Sequence, residues 1–528
     1  MVKDIRFVNS NASVGFDGIS CDFPSIPNLL AHLDRLGIDS ALTWPRSAIP
    51  CVASGNKRFL KSLEDASQAK GRIFPSLAVA PAMLYEKGAM DELTGLMGQH
   101  GIRAIRALPE AMYYEAMQLE PLLEKIRHLK PSIFLNIGEI KNIRSFIALS
   151  ERFPEMAFVL TNGMWGHMVT LFDLMKRRSN VFAETSWMHT EGTIKLLVKE
   201  FGAERILFGA DLRSHNAASI AGLIHSGISR EDKKLIAGEN LVVMLGLKPG
   251  KPCRMGKEKG GALWEEFISG KKLSVPVVDA HTHIEVSSRW VSEESDPGVV
   301  VRKMLKNMDS IGIEKSISFP GSAMGEGPVE SNLRLKKILK PYRSRFAGCL
   351  SFHPLFWEEL SEKLDEFFSD GFFAGFKILC DYWKVPVTDE RFTPAWEYAD
   401  KHRLIIMVHT WGGIYNSPGQ LSSIVKKYPG AHFLLGHSGG NNAGRREAEE
   451  LAAGNLNVYL EWCGSFCSSA LWEETIDKVG KEKILFGSDA YPHSIHWELG
   501  RFLSLGIPRK DMAPILGGNI KKLLARRK

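Results

Sequence analysis

The chain has 528 residues, 44% of them hydrophobic and 24% charged, with a formal net charge of +7. That length exceeds one ordinary core, so two or more domains are expected in a globular protein. No stretch reaches the roughly 18 consecutive apolar residues of a membrane span, and Met1–Arg6 lacks the apolar region of a signal peptide, so a cytoplasmic location is expected. The positive charge is local: the segment from Lys248 to Lys272 carries net +4 and the tail after Asn519 carries +5. The remainder is slightly acidic, which argues against a nucleic-acid partner. The seven cysteines are scattered, and the closest pair, Cys463 and Cys467, lacks zinc-knuckle spacing. Reduced thiols are the expected state.

In chain order, short apolar runs in the first half end near Asn11, Trp44, Ala80, Leu108, Asn136, Asn162, Glu184 and Asp211. Residues 248–274 then read as a basic linker containing Gly and Pro, with a short helix around Leu263 to Ile268. In the second half the runs end near His283, Pro320, His353, Leu379, His409, His437, Glu461 and Asp489. Segments with helical periodicity, such as Leu360 to Ser369 and Pro394 to His402, lie between them. Strands alternating with helices imply parallel pairing, and eight such units in about 250 residues fit a (β/α)8 barrel. The expected fold is therefore α/β, two tandem (β/α)8 barrels, with domains at 1–247 and 275–528. An open doubly wound sheet is the alternative, but no glycine-rich phosphate loop follows a first strand.

The two halves share words at a nearly constant offset. Ile206-Leu207-Phe208-Gly209-Ala210-Asp211 returns as Ile484-Leu485-Phe486-Gly487-Ser488-Asp489, an offset of 278. Asn180-Val181-Phe182-Ala183-Glu184 returns as Asn457-Val458-Tyr459-Leu460-Glu461, an offset of 277. This pattern predicts a duplication.

The strand ends carry the chemistry. In Val277-Val278-Asp279-Ala280-His281-Thr282-His283 the two histidines are spaced i, i+2, so a strand puts both on one face. His409 ends the fifth run, His437 the sixth and Asp489 the eighth. In a barrel these ends converge on one pocket, and imidazoles with a carboxylate suit a first-row divalent ion.

This constellation resembles the amidohydrolase superfamily. The words Val-Val-Asp-Ala-His-Thr-His, Ala-Gly-Phe-Lys, Met-Val-His-Thr-Trp-Gly, Leu-Leu-Gly-His-Ser-Gly-Gly and Leu-Phe-Gly-Ser-Asp are similar to its amidohydrolase-2 branch, which holds metal-dependent hydrolases and decarboxylases. The resemblance implies that His281, His283, His409 and Asp489 ligate one divalent metal per chain, zinc by preference, with Mn2+ or Fe2+ as alternatives. It implies that His437 acts beside the ion as general acid/base, with Asp489 also moving protons. Lys377 ends the fourth strand. Carbamylation to bridge two metals is one role for it; an ion pair or a substrate contact is the expected one. Arg289, His353 and Trp411 are candidate substrate contacts, with packing or surface roles as the alternatives for Arg289 and His353. Glu461, Tyr491 and His493 are candidates for supporting positions.

The first half lacks this set. Aligned on Asp279 and Asn9, His281 becomes Asn11, His283 becomes Ser13, His409 becomes Asn136 and His437 becomes Asn162. Only Asp489 keeps its identity, as Asp211. One carboxylate with amides is a poor site for zinc, so this half is expected to hold no catalytic metal. A displaced site built from His167, His189 and His215 is the alternative. The expected activity is hydrolysis of a small-molecule amide, lactone or ester. Non-oxidative decarboxylation on the same ion is the second reading, and ligand binding without turnover the third. The first barrel is expected to stand in for a partner subunit within the chain, with further oligomerisation left open.

Overall fold

The computed structural model describes residues 4–16, 22–211, 213–250, 261–285, 291–464 and 469–526. The chain divides between Gly260 and Gly261 into two compact units.

In the second unit, eight parallel strands pair in chain order. Nine strands precede them among the described residues of the first unit. These are β1 (Val8–Val14), β2 (Ser40–Pro45), β3 (Ile73–Pro75), β4 (Leu77–Val79), β5 (Ala104–Ala107), β6 (Ser132–Asn136), β7 (Phe158–Thr161), β8 (Val181–Glu184) and β9 (Ile206–Leu207). β1–β3 form one parallel sheet and β4–β9 another. β3 and β4 are one strand position interrupted at Ser76, whose N–H still donates to Thr43 O at 2.9 Å. Ser10 N donates to Phe208 O at 2.9 Å and joins the first strand to the chain just after the last. Eight strand positions therefore close the first barrel.

The second barrel is made of β10 (Val277–His283), β11 (Ile313–Phe319), β12 (Phe346–Ser351), β13 (Phe373–Ile378), β14 (Ile405–His409), β15 (His432–Gly436), β16 (Val458–Glu461) and β17 (Ile484–Leu485). It closes through Ala280 N to Phe486 O at 3.0 Å and Asp489 N to His281 O at 2.8 Å.

Side chains fill each barrel floor. Val278, Ala280, Ile317, Ile405, Met407, Leu434 and Leu485 pack together in the second. Val8, Leu42, Ala104, Phe134, Val159 and Leu207 do so in the first. Burying each large aliphatic chain contributes about 1.5–3 kcal/mol, so the strands read as apolar runs because both faces are covered. The outer helices are amphipathic and capped. Pro297–Ile311 starts where the Asp296 side chain accepts from Val299 N at 2.8 Å. It stops at Gly312, whose φ of 93° suits glycine.

Two devices recur in both units. Asn180 Nδ2 donates to the carbonyls of Ser150, Phe153 and Met156, and Asn457 Nδ2 donates to those of Val425, Tyr428 and Ala431. A π-helical turn, Leu235–Glu239 or Pro514–Gly518, leads into a short helix at the end of each unit. Within the 248–274 stretch, the helix Ala262–Ile268 belongs to the second unit and buries Trp264 and Phe267; residues 251–260 lie outside the described ones. No helix among the described residues is long and apolar enough to cross a membrane.

Candidate metal centre

β10 delivers His281 and His283 to the C-terminal mouth of the second barrel. His281 Nε2 lies 3.4 Å from Asp489 Oδ1, and His283 Nε2 lies 3.1 Å from the same oxygen. Ligands about 2.1 Å from a tetrahedral ion stand roughly 3.4 Å apart, so these three atoms fit one ion. The orientation of His281 fits as well. Its Nδ1 faces Glu461 Oε2 at 2.8 Å, so the proton sits on Nδ1 and Nε2 turns its lone pair inward.

The backbone is bent to place these groups. His437, Ser438 and Asp489 have φ of 67°, 46° and 56°, in the left-handed region that costs most residues about 1–2 kcal/mol each. Asp279 anchors the bend: its Oδ1 accepts from His281 N at 3.2 Å and from Ser488 N at 3.0 Å. Burial pushes the Asp279 carboxyl up to about 8. Gly487 is required here, because a Cβ would meet Glu461 Oε1 and the His281 side chain.

Electrostatics separate the roles. Burial pushes the Asp489 carboxyl up, but His493 and His281 together with the His283 hydrogen bond outweigh it and hold the group well below the usual carboxylate range. Asp489 is therefore ionised. Burial, reinforced by the neighbouring His409, holds His437 down to about 3, so its imidazole is neutral. Its Nδ1 lies 2.5 Å from Cys463 O, which leaves Nε2 as a proton acceptor. His409 stands one ring further out, 4.7 Å from His437 between centroids. Its Nδ1 lies 2.9 Å from Asp381 Oδ1 and 3.4 Å from Asn416 Nδ2. Burial also lowers the Lys377 ammonium, whose Nζ lies 3.0 Å from His281 Nε2 and 4.5 Å above the Phe319 ring.

The sequence profile of the amidohydrolase family matches residues 18–240 and 278–526. The chain belongs to the amidohydrolase family. No curated protein matches it. Solved structures aligned with it include an uncharacterised TIM-barrel protein from Bordetella bronchiseptica, 19% identical, covering 48% of this chain and 99% of that one at a TM-score of 0.39. Another is 2,6-dihydroxybenzoate decarboxylase from Rhizobium, 16% identical, covering 48% and 99% at 0.40. A third is a dihydroxybenzoic acid decarboxylase from a Polaromonas species with bound manganese and the inhibitor 2-nitroresorcinol, 18% identical, covering 48% and 97% at 0.38.

Around the centre of this amidohydrolase the remaining expected residues take different places. Trp411 lies beside it, its ring 5.3 Å from His437 and stacked 6.1 Å from His409. His353 accepts from Leu355 N at 3.1 Å and packs 4.5 Å from Trp383, so it caps and packs a turn. Arg289 lies outside the described residues. His493 Nε2 is 3.3 Å from Asp489 Oδ2, and Tyr491 Oη is 3.4 Å from Ser292 Oγ.

Two contributors were not foreseen from the sequence. Asp381 brings a carboxylate oxygen within 2.9 Å of His409 Nδ1. Cys463 has its Sγ 3.2 Å from His281 Nδ1 and 3.0 Å from Glu461 Oε2. Among the described residues, ligand atoms of His281, His437, Cys463 and Asp489 all lie within 4.8 Å of one another. Cys463 nevertheless touches the Nδ1 side of His281, opposite the Nε2 that faces Asp489. Burial raises its thiol pKa well above normal, so it acts as a neutral donor to Glu461. Its position two residues after a strand-end glutamate was the available signal.

The first unit keeps the scaffold with other side chains. Asn9 Oδ1 accepts from Asn11 N and Ala210 N, both at 2.9 Å, as Asp279 does in the second unit. Asn11 Nδ2 donates to Glu184 Oε2 at 3.2 Å and to Asn162 Oδ1 at 2.8 Å. Asn162 keeps the positive φ of His437, at 58°. Asp211 accepts from Trp187 Nε1 at 3.0 Å and faces His215 Nδ1 at 3.2 Å. His189 Nδ1 faces Trp187 O at 2.8 Å, and His167 lies against Gly138.

Proposed function

We propose that the second barrel is a metal-dependent hydrolase of a small-molecule amide, ester or lactone, working on one divalent ion. His281, His283 and Asp489 would hold the ion, with His409 completing the set. Zinc suits this nitrogen and oxygen donor set, with Mn2+ or Fe2+ as alternatives. The observation that carries the reading is the convergence of His281 Nε2 and His283 Nε2 on Asp489 Oδ1, with Glu461 fixing the far side of His281. When bound, such an ion acts as a Lewis acid and brings the pKa of a water to near neutrality.

The chain's own groups do the rest. Neutral His437, with Nδ1 held by a carbonyl, accepts a proton at Nε2 during attack and returns it to the leaving group. Ionised Asp489 relays protons on the opposite side. Trp411 lies beside His409 and His437, where a substrate would approach.

A second reading rests on Lys377. It is a 1% exposed cation at the site floor with no carboxylate in ion-pair contact among the described residues. That suits a substrate bearing a carboxylate and therefore a non-oxidative decarboxylation. Metal analysis of wild type and His281→Ala, combined with a panel of lactones, esters and aryl carboxylates assayed for acid release and for CO2, tests both. Stoichiometric metal lost in His281→Ala and kept in Asn11→Ala is expected. Acid release selects hydrolysis and CO2 evolution selects decarboxylation. Protein that carries no metal and takes up no added zinc overturns both readings and leaves a ligand-binding protein.

A further inference from the structure

The mouth of the first barrel contains an unpaired buried cation. Arg106 sits on β5 opposite Phe134, two residues before Asn136 on β6. Lys377 sits on β13 opposite Met407, two residues before His409 on β14. Arg106 is thus the first unit's counterpart of Lys377. It is 4% exposed. Among the described residues its only hydrogen bond runs from Nη2 to Thr161 Oγ1 at 3.3 Å, and its Nε has no partner. Glu139, Glu184 and Asp211 act on it only at longer range, and none is in ion-pair contact with it.

A purely structural role does not balance. A buried, unpaired ion costs several kcal/mol. The short-range compensation is one neutral hydrogen bond, about 1 kcal/mol, and a position 5.5 Å from the Trp44 ring, about 0.5–2 kcal/mol; Glu139, Glu184 and Asp211 add attraction only from beyond ion-pair distance. A second cation shares that tryptophan. Arg46 also lies 5.5 Å from the Trp44 ring, and its Nε donates to Ser13 Oγ at 3.0 Å. Ser13, Trp44 and Arg106 come from three strands, so the rigid barrel sets their spacing. Asn11, 1% exposed, has an Oδ1 with no hydrogen-bond partner in the same barrel mouth.

We infer that the first barrel binds a small organic carboxylate between Arg106 and Arg46, beside Trp44, over whose ring both guanidiniums lie. A guanidinium presents paired N–H groups that match a carboxylate bidentately. Two guanidiniums would pair with a phosphate as readily as with a carboxylate; the buried Trp44 ring beside them is what favours a planar organic acid over inorganic phosphate. The inference is independent of the reaction in the second barrel, because its residues all belong to the first unit.

The full-length chain, stripped of metal with EDTA, is titrated calorimetrically at fixed ionic strength with sodium benzoate, sodium acetate, inorganic phosphate and sodium chloride. A carboxylate site sensitive to Arg46 and Arg106 should be present in wild type and equally in a His281→Ala/His283→Ala variant, whatever binds at Lys377. Arg106→Gln and the half-exposed Arg46→Gln should each weaken it about tenfold or more. The Arg46 variant decides the matter where Arg106→Gln fails to fold. Saturable binding of neither carboxylate, affinities unchanged in Arg46→Gln, loss in the histidine variant, or tighter binding of phosphate than of benzoate overturns the inference.

Discussion

Replacing Glu461 by Gln should weaken metal binding by about 10–100-fold, or about 1.4–2.7 kcal/mol. The geometry explains why an isosteric change matters. Glu461 Oε1 accepts from Cys463 N at 2.6 Å, and Oε2 accepts from His281 Nδ1 at 2.8 Å and His437 N at 3.4 Å. Glutamine offers one oxygen and one NH2 group, so either orientation sets the NH2 against a donor. With the oxygen turned to Cys463, the NH2 faces His281 and favours the tautomer protonated at Nε2. That tautomer has no lone pair for the ion. Competition against a chromophoric zinc chelator measures the affinity, with Glu184→Gln, at the matching strand end of the first barrel, as control. An affinity for Glu461→Gln within about twofold of wild type would refute the assignment of Nε2 as the ligating atom.

Glu184 makes a separate prediction. Burial raises its carboxyl to about 7, above its unfolded value, so the folded state binds the extra proton between about pH 4.5 and 7. Stability from this group is full below that window and is lost as pH rises through it, by about 3 kcal/mol. The urea-unfolding free energy of Glu184→Gln relative to wild type should rise by that amount from pH 4.5 to 8; parallel curves would contradict it. Lys377→Met removes a cation 3.0 Å from His281 Nε2 and should tighten metal binding about tenfold or more, read by the same competition assay. Asn180→Ala and Asn457→Ala each strand three carbonyls and should each cost about 1–3 kcal/mol. Because the two lie in separate units, the double variant should lose the sum in chemical denaturation. Gly487→Ala forces Glu461 aside and should lower metal content on purification.

Much of the second barrel was legible because its signals are local. Val277–His283 shows an apolar run and two same-face histidines within seven residues, and strand ends in a barrel must converge. What remained hidden depends on contacts across the ring. Asp381 approaches His409 from a neighbouring strand's loop, and Cys463 touches His281 from the end of a strand two positions away around the closed ring; spacing along the chain reports neither. The interruption at Ser76 did leave a local signal: Pro75 has no N–H to donate to a ladder, and β3 ends on it. Arg106 was overlooked for another reason. A lone arginine in an apolar strand carries no motif, and its unpaired state appears only once its neighbours are known.

The backbone bond from Asp489 N to His281 O, which closes the second barrel, also sets an order of events during synthesis. His281 and His283 leave the ribosome almost a whole barrel ahead of Asp489. Of the proposed ligands, the nascent chain offers His281, His283 and then His409 before Asp489 emerges, and imidazoles on an unfolded chain bind ions weakly and with little discrimination. On the proposed ligand set, tight capture would wait until the last strand has docked against the first, so metal selection would fall to the finished barrel.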